Sequence, residues 1–331
     1  MSKVLSALSL SLLVLSGCPA PGPGRTGGGG GGGAGISPDA CGTINTNPVG
    51  RKLYSFLVAS AELDRASLEL ENTVAGACRK MADILGVPST GTTRDVCLRA
   101  SAELDANLQV SAKTETRLVT RTVPPVCTTR IDVAAGFVAE CEARAVADVS
   151  VSCEGSCSGT CSGTCNGTCA VKDASGKCAG ACDGTCAGSC SGSCQGYADV
   201  DASAECKASA EVRASLKTEC TEPKVEVVRE SVTVVDTTKF DKAMAAINAG
   251  LPDILRAGAK LNAAGKALGL WVQTGASLVK ESGTLVGQLG EKGVCVAGQL
   301  AGVLAASANI QARFSVSIEV SAKVSGSAGV Q

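Results

Sequence analysis

Apolar residues recur at helical spacing along residues 50–107. One stripe of them falls at every third or fourth position and consists of Leu63, Ala66, Leu70, Val74, Ala77, Met81 and Leu85. That period places the stripe on one face of an amphipathic helix. Gly86, Pro88 and Gly91 then interrupt the pattern. We therefore expect one long helix before these residues and a second helix over about 93–107.

From about residue 108 the pattern changes to a period of two, which is typical of a half-buried β-strand. Residues 225–235 alternate in the same way, and in an antiparallel register they would lie beside residues 112–122. A third alternating stretch, over residues 310–324, predicts a strand close to the C-terminus. These three stretches predict a small antiparallel sheet.

Residues 238–309 favour helix, with a break where Gly250 precedes Leu251 and Pro252. Within this region residues 293–306 are nearly all apolar, and the stretch is shorter than the roughly 20 residues that a membrane-spanning helix needs. A buried core helix is therefore the preferred interpretation, and insertion into a membrane is the alternative.

Fourteen of the nineteen cysteines form mirror-image pairs, and the two residue numbers of every pair sum to 347. A constant sum is the register rule of an antiparallel hairpin. Four pairs of glycines, among them Gly155 with Gly192 and Gly163 with Gly184, obey the same sum. We therefore predict two long strands over residues 127–220, joined by seven disulfides. The pairs are Cys127–Cys220, Cys141–Cys206, Cys153–Cys194, Cys157–Cys190, Cys161–Cys186, Cys165–Cys182 and Cys169–Cys178.

Strand geometry favours bonds between the arms over bonds within one arm. Bridged cysteines need Cα atoms within about 7 Å, whereas residues four apart on a strand are about 13 Å apart. A spacing of four keeps all of these cysteines on one face, with glycines between them and small residues such as Ser158 and Thr160 on the other. Two further disulfides are expected, Cys78–Cys97 across the turn between the first helices and Cys41–Cys295.

A thiolate metal cluster is the alternative interpretation of the cysteines, because zinc ligands are also often separated by two to four residues. A metal cluster gives no reason for a mirror symmetry that extends to Cys127 and Cys220. Disulfides are favoured in an exported protein. We therefore expect disulfides, no metal site and no cofactor.

The outer parts of both arms alternate Ala and Val with charged residues, as in residues 143–151 and 198–216. Such a ribbon would be apolar on one side only. At about 3.3 Å per residue, each arm would extend up to roughly 140 Å. Residues 170–177 would form its tip.

The N-terminus has the proportions of a signal peptide, since a short apolar run over residues 4–16 follows Lys3. The run ends in Leu15-Ser16-Gly17-Cys18, which resembles the lipobox of bacterial lipoproteins. This resemblance covers residues 1–18 only. It implies that residues 1–17 are removed and that Cys18 is acylated and holds the protein on a membrane.

Pro19 stands where an Asp would signal retention in the inner membrane of enterobacterial lipoproteins. The resemblance therefore implies an outer-membrane lipoprotein that faces either the periplasm or the cell surface. An ordinary signal peptide with a chance cysteine is the alternative. The Pro- and Gly-rich residues 19–39, with seven consecutive glycines, predict a flexible linker with a mean reach of about 25 Å.

These patterns predict an α+β protein with a helical base, a small antiparallel sheet and a very long two-stranded, disulfide-laddered β-hairpin arm. The expected divisions are a signal peptide (1–17), a lipidated cysteine and linker (18–40), helices and the first strand of the base (41–123), the cysteine-rich arm (124–223), and the remaining strands and helices of the base (224–331).

Composition argues against catalysis and against nucleic-acid binding. The chain has no histidine and a net charge of −1, and it carries no phosphate-binding, dinucleotide-binding or hydrolase motif. We therefore expect no enzyme activity. The preferred hypothesis is a lipid-anchored cell-envelope protein with a structural or interaction role, in which the arm acts as a spacer, spike or assembly element.

The partners expected for such an arm are a second copy, an envelope protein or a glycan. Two alternative functions stay open at this point. One is a subunit of an oligomeric envelope pore, with the hairpin as barrel wall, although the chain lacks the aromatic girdles that membrane barrels show. The other is sequestration of metal by free thiolates.

Overall fold

The computed structural model describes residues 35–111, 119–228 and 236–328. The predicted signal peptide, Cys18 and nearly all of the linker lie outside the described residues. So do residues 112–118 and 229–235, which carry part of the predicted sheet. The described residues form one compact unit.

Of the helices in the described residues, five form the base and two connect it to the cysteine-rich region. The described residues contain, in chain order, α1 (Pro48–Leu85), α2 (Thr93–Ser111), α3 (Ile131–Glu142), α4 (Ala204–Leu216), α5 (Thr237–Lys280), α6 (Ser282–Leu289) and α7 (Glu291–Ser327). Short 3-10 helices cover Pro38–Cys41 and Val146–Asp148. The predicted α+β class is confirmed.

The first helix pair forms where the sequence predicts it. The side chain of Asn47 accepts a hydrogen bond from the Gly50 amide at 2.7 Å, and Pro48 occupies the first turn, so α1 begins with a satisfied cap. Gly86 ends the helix with φ 80°. The Cys78–Cys97 disulfide then joins α1 to α2.

Two apolar clusters fill the base. In the first, Trp271 of α5 stacks on Phe56 of α1 with ring centroids 6.3 Å apart, and its indole N–H donates to the Ser60 hydroxyl at 2.8 Å. In the second, Gly250 contacts α1 so closely that a Cβ there would lie 2.4 Å from Met81 Cγ. The bare backbone of Gly250 thus lets α1 and α5 pack directly.

The predicted helix break at Gly250 and Pro252 is wrong, because α5 continues through both residues. Ile247, Leu251 and Ile254 are fully buried in the second cluster. Keeping them there requires an unbroken helix, and this packing outweighs the one backbone hydrogen bond that a proline removes.

The predicted strand over residues 310–324 is also wrong, since α7 covers it. The alternating apolar residues of this stretch also include a set at helical spacing, since Ile310, Phe314 and Val324 are buried on one side of α7. By length and composition α7 would be able to cross a membrane, although 33% of its most apolar window is buried inside the protein. One side of this helix, with Val296 and Leu300, belongs to the core, whereas Val294 and Leu304 are exposed, so the core-helix interpretation holds for one face only.

The strands form two sheets. They are β1 (Val119–Val123), β2 (Cys127–Arg130), β3 (Val151–Cys169), β4 (Cys178–Ser191), β5 (Ser193–Val200), β6 (Glu219–Cys220) and β7 (Lys224–Val228). β1 pairs with β7, and β2 pairs with both β5 and β6. Val119 faces Val228 and Cys127 faces Cys220, which is the register that the constant sum predicts.

The outer arms are not strands throughout, because α3 and α4 occupy residues predicted to be extended. Alanine is the best helix former, so an Ala-rich stretch can form a helix despite its alternation. Residues all round α4, including Ala208, Ser209 and Val212, are buried between neighbouring elements. That burial removes any single apolar face. The Cys141–Cys206 disulfide consequently joins two helices.

Candidate functional site

The cysteine-rich strands wind around each other into a closed coil, which we call the disulfide coil (residues 151–200). Ser162 of β3 pairs with Ser189 at one edge and with Ala179 at the other, and both partners belong to β4. A strand flanked on both edges by the same partner strand must be wrapped by it. Nearer the base, β5 takes one of the two edges and pairs Ser152 with Asp199.

The hydrogen-bonded neighbours of the coil cysteines are not their disulfide partners. Cys157 lies beside Cys194 of β5 at one edge and Cys182 of β4 at the other, yet its disulfide joins it to Cys190. The five disulfides of the coil, with Cα–Cα distances of 5.7–6.0 Å, therefore cross its interior diagonally. The residue numbers of hydrogen-bonded pairs sum to 351 at one edge of β3 and to 339 or 341 at the other, whereas those of the disulfides sum to 347.

Cysteine sulfur fills the inside of the coil. Eight of its ten cysteines are at most 5% exposed, and only Cys165 and Cys169 near the tip are partly exposed. Along each strand a buried Cys is followed two residues later by a half-buried Gly, with exposed residues between them. This burial period of four is the C-x-G-x repeat of the sequence.

Glycine makes the tight winding possible. A Cβ on Gly159 would lie 1.5 Å from the carbonyl oxygen of Ser191, so no side chain fits there. Gly188 has φ 147°, a backbone conformation that residues with a side chain rarely adopt. Glycine thus supplies both the space and the backbone turn that let each strand curve back over its partner.

The winding corrects three details of the predicted arm. Gly155 faces Gly196, and Gly163 faces Gly188, so the predicted glycine partners are displaced by four residues. The Cys and Gly face points inward and is not a flat outer surface. Paired residues form one row along the axis of the coil, in the order Asp199, Ser152, Ser189, Ser162 and Ala179. Neighbours in this row lie on strands about 4.8 Å apart, so the row is only about 19 Å long.

The outward positions of the coil carry mostly small polar side chains and line a groove, which we call the hydroxyl groove. Its volume is about 500 Å³. One wall carries Ser162, Ser189 and Ser191 on adjacent strands, and the other contains Val146 and Asp148 of the 3-10 helix. Hydroxyl groups both donate and accept hydrogen bonds, so this wall is chemically suited to a polar partner.

The tip of the coil is closed by Asp173. Its carboxylate accepts hydrogen bonds from the Ser175 hydroxyl at 2.7 Å, the Ser175 amide at 2.8 Å and the Lys177 amide at 3.0 Å. The hydrogen bond from the Ser175 side chain is the main reason that the pKa of Asp173 lies below its usual range. The tip is thus a defined turn over the last disulfide, Cys169–Cys178.

A buried carboxyl lies where the coil meets the base. The hydroxyl group of Tyr197 in β5 donates a hydrogen bond to the carboxylate of Glu211 in α4, which is only 2% exposed. Lys207 Nζ lies 2.5 Å from Asp199 Oδ1 and 3.9 Å from Glu211 Oε1. Burial raises the pKa of Glu211 to about 7, with the charge of Asp199 adding to the rise, while Tyr197 and Lys207 oppose it.

Every cysteine from Cys41 to Cys295 is disulfide-bonded, in the nine pairs predicted from the sequence. A thiolate metal cluster would require these disulfides to be reduced. The proposed lipid attachment at Cys18 lies outside the described residues. Sequence reasoning missed Tyr197 and Glu211, because the alternating pattern assigned Glu211 to a solvent-facing position on a strand. A signal existed in the rarity of aromatic residues, since Tyr197 is one of only two tyrosines.

No protein-family model, curated protein or solved structure matches this chain. The function of the coil is therefore argued from its own geometry.

Proposed function

We propose that this chain is a lipid-anchored protein of the bacterial cell envelope, in which the disulfide coil is a rigid element that contacts another envelope component. The observation that carries the proposal is the core of the coil, where five disulfides lie within residues 151–200. Disulfides at this density persist in oxidising compartments outside the cytoplasm.

Cysteine parity supports the lipid anchor. The chain has nineteen cysteines, and the nine disulfides account for eighteen of them. Cys18, within the lipobox-like sequence, is the remaining cysteine. An odd cysteine in an exported protein calls for a separate role, and acylation is the role that the surrounding sequence favours.

Rigidity supports a contact function. Cross-linked strands lose little further conformational freedom when a partner binds, so the energy of new contacts is not offset by ordering. The hydroxyl groove then supplies hydrogen-bonding groups in fixed positions. With an axial extent of about 19 Å, the coil is better suited to a short docking element than to a long spacer.

The packing of the coil gives little support to a pore subunit. Its inward positions are filled by cysteine sulfur, which leaves the described coil without a lumen. Its outward positions are small and polar, whereas the wall of a membrane barrel needs an apolar outer band.

Localisation and acylation can be tested together in a bacterium that processes lipoproteins. Wild-type protein is expected in the outer-membrane fraction, with a diacylglyceryl group on Cys18 detected by mass spectrometry of the N-terminal peptide. Cys18→Ala is expected to be recovered without a lipid. A wild-type protein with an unmodified Cys18 would overturn the anchor.

The contact function can be tested by placing a photo-cross-linking amino acid at Ser162 or Ser189 in the hydroxyl groove. Thr73, an exposed residue of α1, is the matched control position. Discrete cross-linked products are expected from the groove and not from the control, and Ser162→Lys should remove the product formed at Ser189. If neither the groove nor the tip, tested at Lys172, gives a product, the coil is not a contact surface.

A further inference from the structure

One end of the helical base has very few charged side chains. Between Ala267 and Ala312 the only charged residues are the adjacent pairs Lys280–Glu281 and Glu291–Lys292, which stand where α5 ends and α7 begins. From Gly293 to Ala312 α7 has no charge over a length of about 30 Å. Elsewhere in the described helices the longest uncharged stretch is the ten residues from Ala243 to Pro252, so this end is distinct.

Much of this uncharged region is exposed. Val294 is 68% exposed and Leu304 is 41% exposed, and Ala301, Ala305 and Ala308 on the outward side of α7 are also exposed. α6 is uncharged as well, and none of its eight residues is buried. We call α6 and the outward side of α7 from Val294 to Ala312 the neutral face.

The opposite side of α7 is fixed in the core. Val296, Leu300 and Val303 are at most 2% exposed and belong to the cluster around Trp271. α7 therefore cannot leave the base to cross a membrane without exposing that cluster. Because α7 stays in the base, any partner of the neutral face must bind it from outside.

The chain enters the base beside this face. The Cys41–Cys295 disulfide ties the first described residues to the start of α7, and the Ser37 amide donates to Gln299 Oε1 at 2.9 Å. Sixteen residues lie between Cys18 and Gly35. A lipid on Cys18 would thus hold the neutral face within a short linker's reach of the bilayer.

We propose that the neutral face rests on the bilayer surface that holds the lipid of Cys18, an inference that rests on the proposed lipid anchor. An uncharged, partly apolar helix side suits the boundary between headgroups and acyl chains. Lys280 at its border can extend toward the headgroups, whereas Lys292 donates to the carbonyl oxygen of Thr43. A second copy is the weaker candidate, because Val294 and Leu304 are the large apolar side chains that the described neutral face exposes most, whereas a stable dimer buries roughly 800 Å² per partner.

The test uses the chain from residue 18 onward with Cys18→Ser, so that no acyl chain contributes. Flotation is measured with vesicles of phosphatidylcholine alone and of phosphatidylethanolamine mixed with phosphatidylglycerol. Binding to both is expected, with little dependence on salt. Adding Ala301→Glu and Ala305→Glu should lower the bound fraction about ten-fold or more, because both charges would enter the interface.

The matched control is Ala102→Glu with Ala106→Glu, two exposed alanines of α2, which should leave binding unchanged. Circular dichroism checks that both double variants fold. If the Cys18→Ser chain does not float with either vesicle, the inference is overturned, while the anchor, tested by mass spectrometry, can still stand. A concentration-dependent dimer without vesicle binding, abolished by the Ala301 and Ala305 changes, would assign the face to a second copy and also overturn it.

Discussion

At Gly159 a single methyl group would collide with the backbone of the facing strand, since it would lie 1.5 Å from Ser191 O. We expect Gly159→Ala to destabilise the protein by about 2 kcal/mol or more, because the strands must separate to admit the methyl group. Thermal unfolding under non-reducing conditions measures this, and peptide mapping shows whether Cys157–Cys190 and Cys161–Cys186 still form.

Gly136 provides the matched control for that substitution. It lies within α3, and no atom other than the backbone of its own helix and its chain neighbours lies within 4 Å of a Cβ built on it. Gly136→Ala should be neutral or stabilise by about 0.5–1 kcal/mol through higher helix propensity. Equal effects at the two glycines would show that the close approach at Gly159 does not exist.

Glu211 makes stability depend on pH. Its pKa rises from 4.5 to about 7 through burial, so folding takes up a proton between these values. The resulting stabilisation is present below about pH 4.5 and is lost as pH rises through 7, with an upper limit of about 3 kcal/mol. Glu211→Gln keeps an acceptor for Tyr197 without the charge. It should flatten this profile and raise the midpoint of thermal unfolding at pH 8.

The comparison for Glu211 is Glu69→Gln on the exposed surface of α1. This change also removes one carboxylate, but from an exposed position, so it controls for the loss of a charge as such. Unfolding midpoints between pH 4 and pH 9 test both variants. A Glu211→Gln profile that is parallel to the wild-type profile would mean that Glu211 titrates alike in the folded and unfolded chain.

At the scale of the element, the disulfides of the coil should differ in their contribution to stability. Cys157 and Cys190 are at most 5% exposed, whereas Cys169 at the tip is partly exposed. Replacing the central pair by Ala leaves a cavity and should cost about 2–4 kcal/mol. Replacing Cys169 and Cys178 should cost about 1 kcal/mol, because Cys169 is partly exposed and the change leaves a smaller cavity.

Guanidinium unfolding without reductant measures both pairs of substitutions. Because neighbouring disulfides remain in each case, the entropy lost from the unfolded chain is similar, and packing decides the difference. Equal costs for the central and tip pairs would indicate that the interior of the coil is not packed.

The sequence predicts which cysteines pair, but not how the strands between them run. Mirror symmetry fixes partners such as Cys161 and Cys186 whether the arms are flat or wound. Winding depends on the backbone angles that Gly163 and Gly188 adopt, and composition alone does not reveal these angles. α4 and residues 310–324 of α7 are predicted as strands because apolar and polar residues alternate in them, and the same residues also satisfy a helical period.

For the whole molecule, we expect the coil and the base to respond differently to reduction. Eight of the eighteen buried residues in the cluster of the coil are cysteines, whereas one base cluster contains only Cys41 and the other only Cys78 and Cys97. After full reduction residues 151–200 should exchange amide hydrogens rapidly. The helical signal at 222 nm should largely persist. If the helical signal is lost together with the amide protection of residues 151–200, the coil and the base unfold as one cooperative unit.

The wound coil itself is tested most directly by backbone proton distances across β3. Nuclear Overhauser effects are measured between Ser162 and its two proposed neighbours in β4, Ser189 and Ala179. A coil places both neighbours within one strand spacing of Ser162, so both contacts are expected. A flat hairpin gives Ser162 a single neighbouring strand, and a contact to only one of the two would contradict the wound coil.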